Sequence, residues 1–164
     1  MKNAIVYSSR TGNTKMLAEA VQEKISDCTY FGAPDEAALT ADRIYVGFWT
    51  DKGTCDADTE KFLKTLKSQQ VFLFGTAGFG GESGYYEKIL DRVKKFLPET
   101  VKVTGTFMCQ GKMPMSVRQR YEGLQHSPTP PPNIGMLIDT FDRALSHPDQ
   151  NDLQKLREAV RNCK

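Results

Sequence analysis

The sequence predicts an α/β protein: a doubly wound sheet of five parallel strands in the order 2-1-3-4-5, with helices on both faces and extra helices at the C-terminal end. Two observations lead there. Short apolar runs alternate with amphipathic stretches along the first two thirds of the chain, the pattern of strand–helix units covered on both sides. The first run, Lys2 to Tyr7, passes at once into Ser8-Ser9-Arg10-Thr11-Gly12-Asn13-Thr14 and then into a helical stripe of Thr14, Leu17, Ala18, Val21 and Ile25. A right-handed crossover at each step selects the strand order. Ligands of such sheets lie outside the carboxyl ends of the strands at the switch point, here the first, third and fourth.

The remaining elements follow in turn. Thr29-Tyr30-Phe31 reads as a short second strand, broken at Ala33-Pro34. Arg43 to Trp49 is a buried third strand, and Thr59, Phe62, Leu63 and Leu66 give the helical stripe after it. Gln70 to Phe74 is the fourth strand. Tyr86, Ile89, Leu90, Val93, Phe96 and Leu97 mark a helix that Pro98 ends, and Val101 to Met108 is the fifth strand. Beyond it, Met113–Gln125 reads as a short helix and the prolines from Pro128 to Pro132 as a stiff connector. Ile134, Leu137, Ile138, Phe141 and Leu145 mark another helix. Leu153, Leu156, Ala159 and Val160 mark the last, capped by Asn151 with Gln154 or by Asp149 with Asp152. Residues 1–164 are expected to form one domain, with about 112–164 a helical extension of it.

Composition narrows the function. A chain of 164 residues suits one domain with a real core. No apolar run approaches the roughly 20 residues that cross a bilayer, and the first strand starts too early for a signal peptide. Cys28, Cys55, Cys109 and Cys163 are scattered without Cys-x-x-Cys spacing. They read as reduced thiols of a cytoplasmic protein. His126 and His147 each lie near a proline and read as loop or cap residues, so no metal site is expected. Net charge is +2, with no basic cluster interleaved with aromatics, so nucleic acid is not an expected partner.

The loop after the first strand carries chemistry. A helix N-terminus offers unpaired N–H groups and partial positive charge, and Ser9, Thr11, Asn13 and Thr14 add side-chain donors around it. That suits a phosphate. Crowded hydroxyls with no basic side chain forced inward favour a monophosphate. A helix cap needs one such residue, and four fall within six positions. No Walker loop occurs, and Gly78-Phe79-Gly80-Gly81-Glu82-Ser83 fails the dinucleotide fingerprint at its last glycine.

On these residues, Ile5 to Thr14 resembles the signature of the flavodoxin family, in which Ser/Thr-x-Thr-Gly-Asn-Thr wraps the 5′-phosphate of FMN. The resemblance runs through most of the chain and thins after about Gly111. It implies FMN as cofactor, held by Ser9, Arg10, Thr11, Gly12, Asn13 and Thr14 at its phosphate. It implies two loops for the isoalloxazine ring: Trp49-Thr50-Asp51-Lys52-Gly53 onward to Cys55, and Gly75-Thr76-Ala77-Gly78-Phe79-Gly80-Gly81. The aromatic of Gly-x-x-Gly-aromatic-Gly covers a ring face in the family. That role falls to Phe79, with Tyr85 as fallback. Trp49 stands a couple of residues before the family's usual stacking position, so it is expected at the ring edge or phosphate side. Asp51-Lys52-Gly53 would face the reactive edge, and Gly53 could supply a peptide that reorients on reduction. Cys55 reads as a bystander.

The resemblance implies an electron carrier that shuttles single electrons between a reductase and a partner oxidoreductase. Such a protein needs no acid or base of its own, and none is expected. Phe48 to Thr54, together with Met108 to Lys112, resembles a subgroup that accompanies tetrapyrrole (bilirubin) reductases, which implies such a partner. Family members are usually strongly acidic; this chain is not. A rival reading is an FMN-dependent reductase acting directly on a quinone or other small oxidant, with Gln110–His126 roofing the flavin. A third, a non-redox module that kept the fold, is opposed by the intact Thr11-Gly12-Asn13-Thr14. The chain is expected to be a monomer or weak dimer.

Overall fold

The computed structural model describes residues 1–80 and 84–163. Strands β1 (Asn3–Tyr7), β2 (Cys28–Gly32) and β3 (Arg43–Asp51) come first, with helix α1 (Asn13–Gln22) between β1 and β2. A two-residue strand β4 (Thr54–Cys55) follows, then α2 (Ala57–Leu63), β5 (Gln70–Ala77), α3 (Tyr85–Lys94) and β6 (Lys102–Gln110). Three helices complete the chain: α4 (Met115–Gln125), α5 (Ile134–Ala144) and α6 (Gln150–Arg161).

The main sheet is parallel and runs β2-β1-β3-β5-β6. This is the order expected from sequence, since β4 only folds back antiparallel on β3. Side chains alternate between the two faces. Ala4, Val6, Ile44, Val46, Phe48, Val71 and Leu73 pack with α2 and α3 through Phe62, Leu63, Ile89 and Val93. Ile5, Tyr45, Phe72 and Phe74 pack on the opposite side with Leu17 and Val21 of α1 and Leu153, Leu156 and Val160 of α6. Strands buried on both faces read as continuous apolar runs, which is why they were visible in the sequence.

The segment expected as one extension divides in two. Helix α6 covers the sheet beside α1 and is the crossover helix that this topology places after the last strand. The other two, α4 and α5, contribute no residue to either core cluster among the described residues. They pack on each other through Tyr121, Phe141 and Ala144, and Arg118 of α4 donates to Asp142 of α5 at 2.7 Å. Of the two proposed caps for α6, the structure uses Asp149 with Asp152, each side chain accepting from the other's backbone N–H at 2.9 Å. His147 Nδ1 lies 2.6 Å from Asp152 Oδ2, so this histidine belongs to the cap.

Candidate cofactor site

A cavity of about 290 Å³ opens at the carboxyl ends of β1, β3, β5 and β6. That is near the lower end of small-molecule pockets, roughly 300–1,000 Å³. Four chain segments wall it. Arg10, Thr11 and Asn13 come from the loop after β1; Trp49, Thr50, Asp51, Lys52 and Gly53 come from the end of β3 and its turn. Thr76, Ala77, Gly78 and Phe79 continue β5, with Tyr85 from α3 beside them. Gly111, Lys112, Met113, Pro114 and Val117 close the side toward α4.

The loop after β1 is built around Gly12, whose φ of 90° is a left-handed conformation that a β-carbon would strain. Ser9 Oγ accepts from the N–H of Gly12 at 3.1 Å and from that of Lys15 at 3.4 Å. These amides therefore point toward a common acceptor position, as an anion site at a helix N-terminus requires. The other expected phosphate ligands are placed differently. Thr14 is buried, and its hydroxyl donates to the Phe48 carbonyl at 3.2 Å, tying α1 to β3. Asn13 donates through Nδ2 to the Lys112 carbonyl at 2.8 Å, and the Thr11 hydroxyl lies 3.4 Å from the same oxygen. Ser9 and Gly12 border a neighbouring depression with Lys15 and Asp58 rather than the cavity itself.

The first ring loop is a hairpin rather than an open loop. Asp51 pairs with Thr54, and Lys52 and Gly53 between them have φ of 53° and 85°. Two positive φ values in a two-residue turn match the twist of the paired strands. The Arg92 guanidinium of α3 donates to the Gly53 carbonyl at 3.0 Å and holds that tip. Cys55 is buried behind the hairpin, and burial, with neighbouring Asp56, pushes its thiol up to about 12. A thiol this reluctant to ionise is a poor nucleophile, which agrees with the bystander reading.

The second loop begins inside a strand. Gly75, Thr76 and Ala77 are still in β5, where Trp49 of β3 pairs with Thr76 in parallel register. Phe79 beyond it is 37% exposed on the cavity wall, so it is not a core residue. Gly80 packs against Tyr86 outside the wall, and Gly81 lies outside the described residues. Trp49 lines the cavity with the Arg10 guanidinium 5.5 Å from its ring centroid. Burial pushes the Tyr85 hydroxyl pKa up, partly offset by Arg92.

The wall from Gly111 to Val117 is absent from the ligand set expected from sequence; the segment entered only the rival reading, as part of Gln110–His126 roofing the flavin. The available signal was position: whatever follows the last strand's carboxyl end must pass the same edge as the other loops.

The residues fit FMN. The N-terminus of α1, with Ser9 and Thr11 beside it, suits its phosphate. Trp49, Phe79 and Tyr85 suit a flat ring. Asn13 Oδ1 is buried with no hydrogen-bond partner among the described residues, while Asn13 lines the cavity. A ribityl hydroxyl is the kind of donor such an orphan acceptor needs.

Comparison with known proteins agrees with this geometry. A flavodoxin-domain family model matches residues 4–161. A flavodoxin-like domain-containing protein BilS of Clostridium symbiosum is 40% identical, over 93% of this chain and 90% of that protein. One of the same name from Clostridioides difficile is 26% identical over 99% and 96%. Among solved structures, oxidised flavodoxin 2 of Bacillus cereus overlays with a TM-score of 0.59 at 15% identity, over 98% of this chain and 95% of that one. An archaeal flavodoxin gives 0.56 at 19% identity, over 98% and 94%. With almost every residue under the family model, a BilS relative at 40% identity and a cavity built for FMN, this chain is a member of the flavodoxin family.

Proposed function

We propose that this protein is an FMN-binding electron carrier that passes single electrons from a reductase to a partner oxidoreductase. The observation that carries the reading is the cavity itself. It joins a phosphate-type loop to two aromatic-bearing edges at the switch point of the sheet. FMN, when bound, supplies reversible one-electron chemistry. The chain's own residues bind, orient and shield. The N–H groups of the loop after β1, with Ser9 and Thr11, hold the phosphate. Trp49 and Phe79 confine the ring. Arg92 fixes the hairpin tip through Gly53. Partner proteins are implied by a carrier role, and the subgroup resemblance of Phe48 to Thr54 with Met108 to Lys112 supports a tetrapyrrole reductase as one of them.

A second reading has one specific observation in its favour. Met113, Pro114 and Val117 place α4 against the cavity, as a substrate-binding wall would require. On this reading the protein is an FMN-dependent reductase of a small oxidant. Stopped-flow mixing of the FMN-loaded protein with NADPH separates the two. A carrier is reduced slowly unless a reductase is added. Rapid reduction by NADPH alone, followed by turnover of a quinone, would establish the enzyme.

A further inference from the structure

The cavity mouth is strongly basic in a chain that is only slightly so. Overall the sequence has 22 Lys and Arg against 20 Asp and Glu. At the mouth, Arg10, Lys52 and Lys112 line the wall, and the Arg92 guanidinium sits on the Gly53 carbonyl. Among the described residues, the wall carries one carboxylate, Asp51. All four cations are exposed, and none is in a salt bridge among the described residues.

The cations are held at fixed points. Lys52 occupies the tip of the hairpin that Arg92 pins. Lys112 is tied on both sides of its backbone: its N–H donates to the His147 carbonyl at 3.0 Å, and its carbonyl accepts from Asn13. Phe79 on the same wall is 37% exposed, and Met115, which follows the wall residue Pro114 in the chain, is 60% exposed. Apolar anchors within a charged rim are the anatomy of a protein–protein contact.

We propose that the mouth of the cofactor cavity is a docking surface for an acidic redox partner, with Lys52, Lys112 and Arg92 steering its carboxylates. This rests on the electron-carrier reading. Complementary charge acts mainly on encounter rate, and salt weakens it. Reduced FMN, when bound, would supply one electron to a ferric haem of the test partner, giving ferrous haem and a flavin oxidised by one electron, with no bond made or broken.

Two forms of one acceptor test the sign of the charge: native cytochrome c, which is basic, and its succinylated form, which is acidic. The FMN-loaded protein is reduced with dithionite and mixed with each between 10 and 200 mM salt. The succinylated rate should fall about tenfold or more across that range, the lower end of steering effects, while the native rate rises. Lys52→Glu with Lys112→Glu should flatten or invert both slopes. Any effect of Lys52 on the flavin's potential appears in the rate at high salt, not in the slope. Lys112→Glu alone, checked for fold by circular dichroism, should halve the slope. A native rate that is faster at low salt and falls with salt overturns the proposal. So do slopes that the charge reversals leave unchanged. Calorimetric binding of the flavin-free chain to the two cytochromes at low salt reads docking without FMN. If the chain takes up no FMN, the carrier reading fails while this measurement still decides docking. No association with the succinylated form overturns the surface.

Discussion

At Asn13 the expected role and the observed bond differ. Its place in Thr11-Gly12-Asn13-Thr14 suggested a phosphate donor, but its Nδ2 is spent on the Lys112 carbonyl. Thr14 is likewise spent on Phe48. Thr11 makes only a long contact, 3.4 Å, with the same carbonyl, so on the proposed reading selection for the phosphate falls to the loop N–H groups, Ser9 and Thr11. Charge-assisted hydrogen bonds are worth about 1.5–3 kcal/mol each, so FMN should bind at least two orders of magnitude more tightly than riboflavin. Thr11→Ala should remove about tenfold of that preference. Equal affinity for the two flavins in a fluorescence titration would remove the phosphate site. Phe79 gives an independent check on the ring side. It is exposed on the wall, so Phe79→Ala should weaken FMN by roughly 1–3 kcal/mol and leave the urea midpoint of the flavin-free protein in place. A shifted midpoint with unchanged affinity would make it a packing residue. Lys52 belongs at the same scale. A cation near the ring stabilises negative charge gained on reduction by about 1 kcal/mol in solvent, roughly 40 mV. Lys52→Glu should make the lower potential more negative by at least that much, and identical potentials in a redox titration would leave Lys52 to docking alone.

At the scale of elements, the site depends on how the segment after β6 is tethered to α1. Asn13 and Thr11 take the Lys112 carbonyl, and the Lys112 N–H reaches His147 at the cap of α6. Removing the Asn13 side chain leaves that carbonyl without its strongest partner in a partly buried place. Asn13→Ala should cost about 1–3 kcal/mol of stability and speed hydrogen exchange at Gly111 and Lys112. Loss of FMN affinity with no change in either would assign Asn13 to the cofactor instead. This tether was invisible in the sequence, because it joins residues 99 apart. The strands were legible because burial on both faces made each an apolar run, as in Ile44 to Phe48 or Val71 to Phe74. The hairpin was not legible, because Lys52-Gly53 is a turn pair in which only the glycine signals positive φ. Which of the extra C-terminal helices covers the sheet was not legible for a similar reason. The apolar stripe of α6 looks like that of α5, and only packing shows that α6 is the one that covers the sheet.

At the scale of the whole molecule, the four cysteines link the core to pH. All four are free thiols. Cys55 and Cys109 are buried on opposite faces of the sheet, in the two separate halves of the core. Burial is the largest cause for each, with Asp56 adding at Cys55 and Asp152 and Asp149 at Cys109. Both thiols are thus held above their ordinary value of 9.0. The sign follows from linkage. Below pH 9 the thiols are protonated whether the chain is folded or unfolded, and their contribution to stability is fully present. Between pH 9 and about 12 the unfolded chain loses these protons while folded Cys55 keeps its own. The folded state then binds more protons than the unfolded, so stability falls as pH rises. Tyr30 and Tyr85, also raised chiefly by burial, push the same way at the upper end of the window. Urea midpoints should be flat in this respect from pH 7 to 8.5 and decline steadily above 9. Cys55→Ala with Cys109→Ala should lower the plateau, through the cavities left behind, and make the decline shallower. A decline equally steep in the double variant would place the alkaline sensitivity elsewhere, in the tyrosines or in lysine deprotonation, and detach the buried thiols from it.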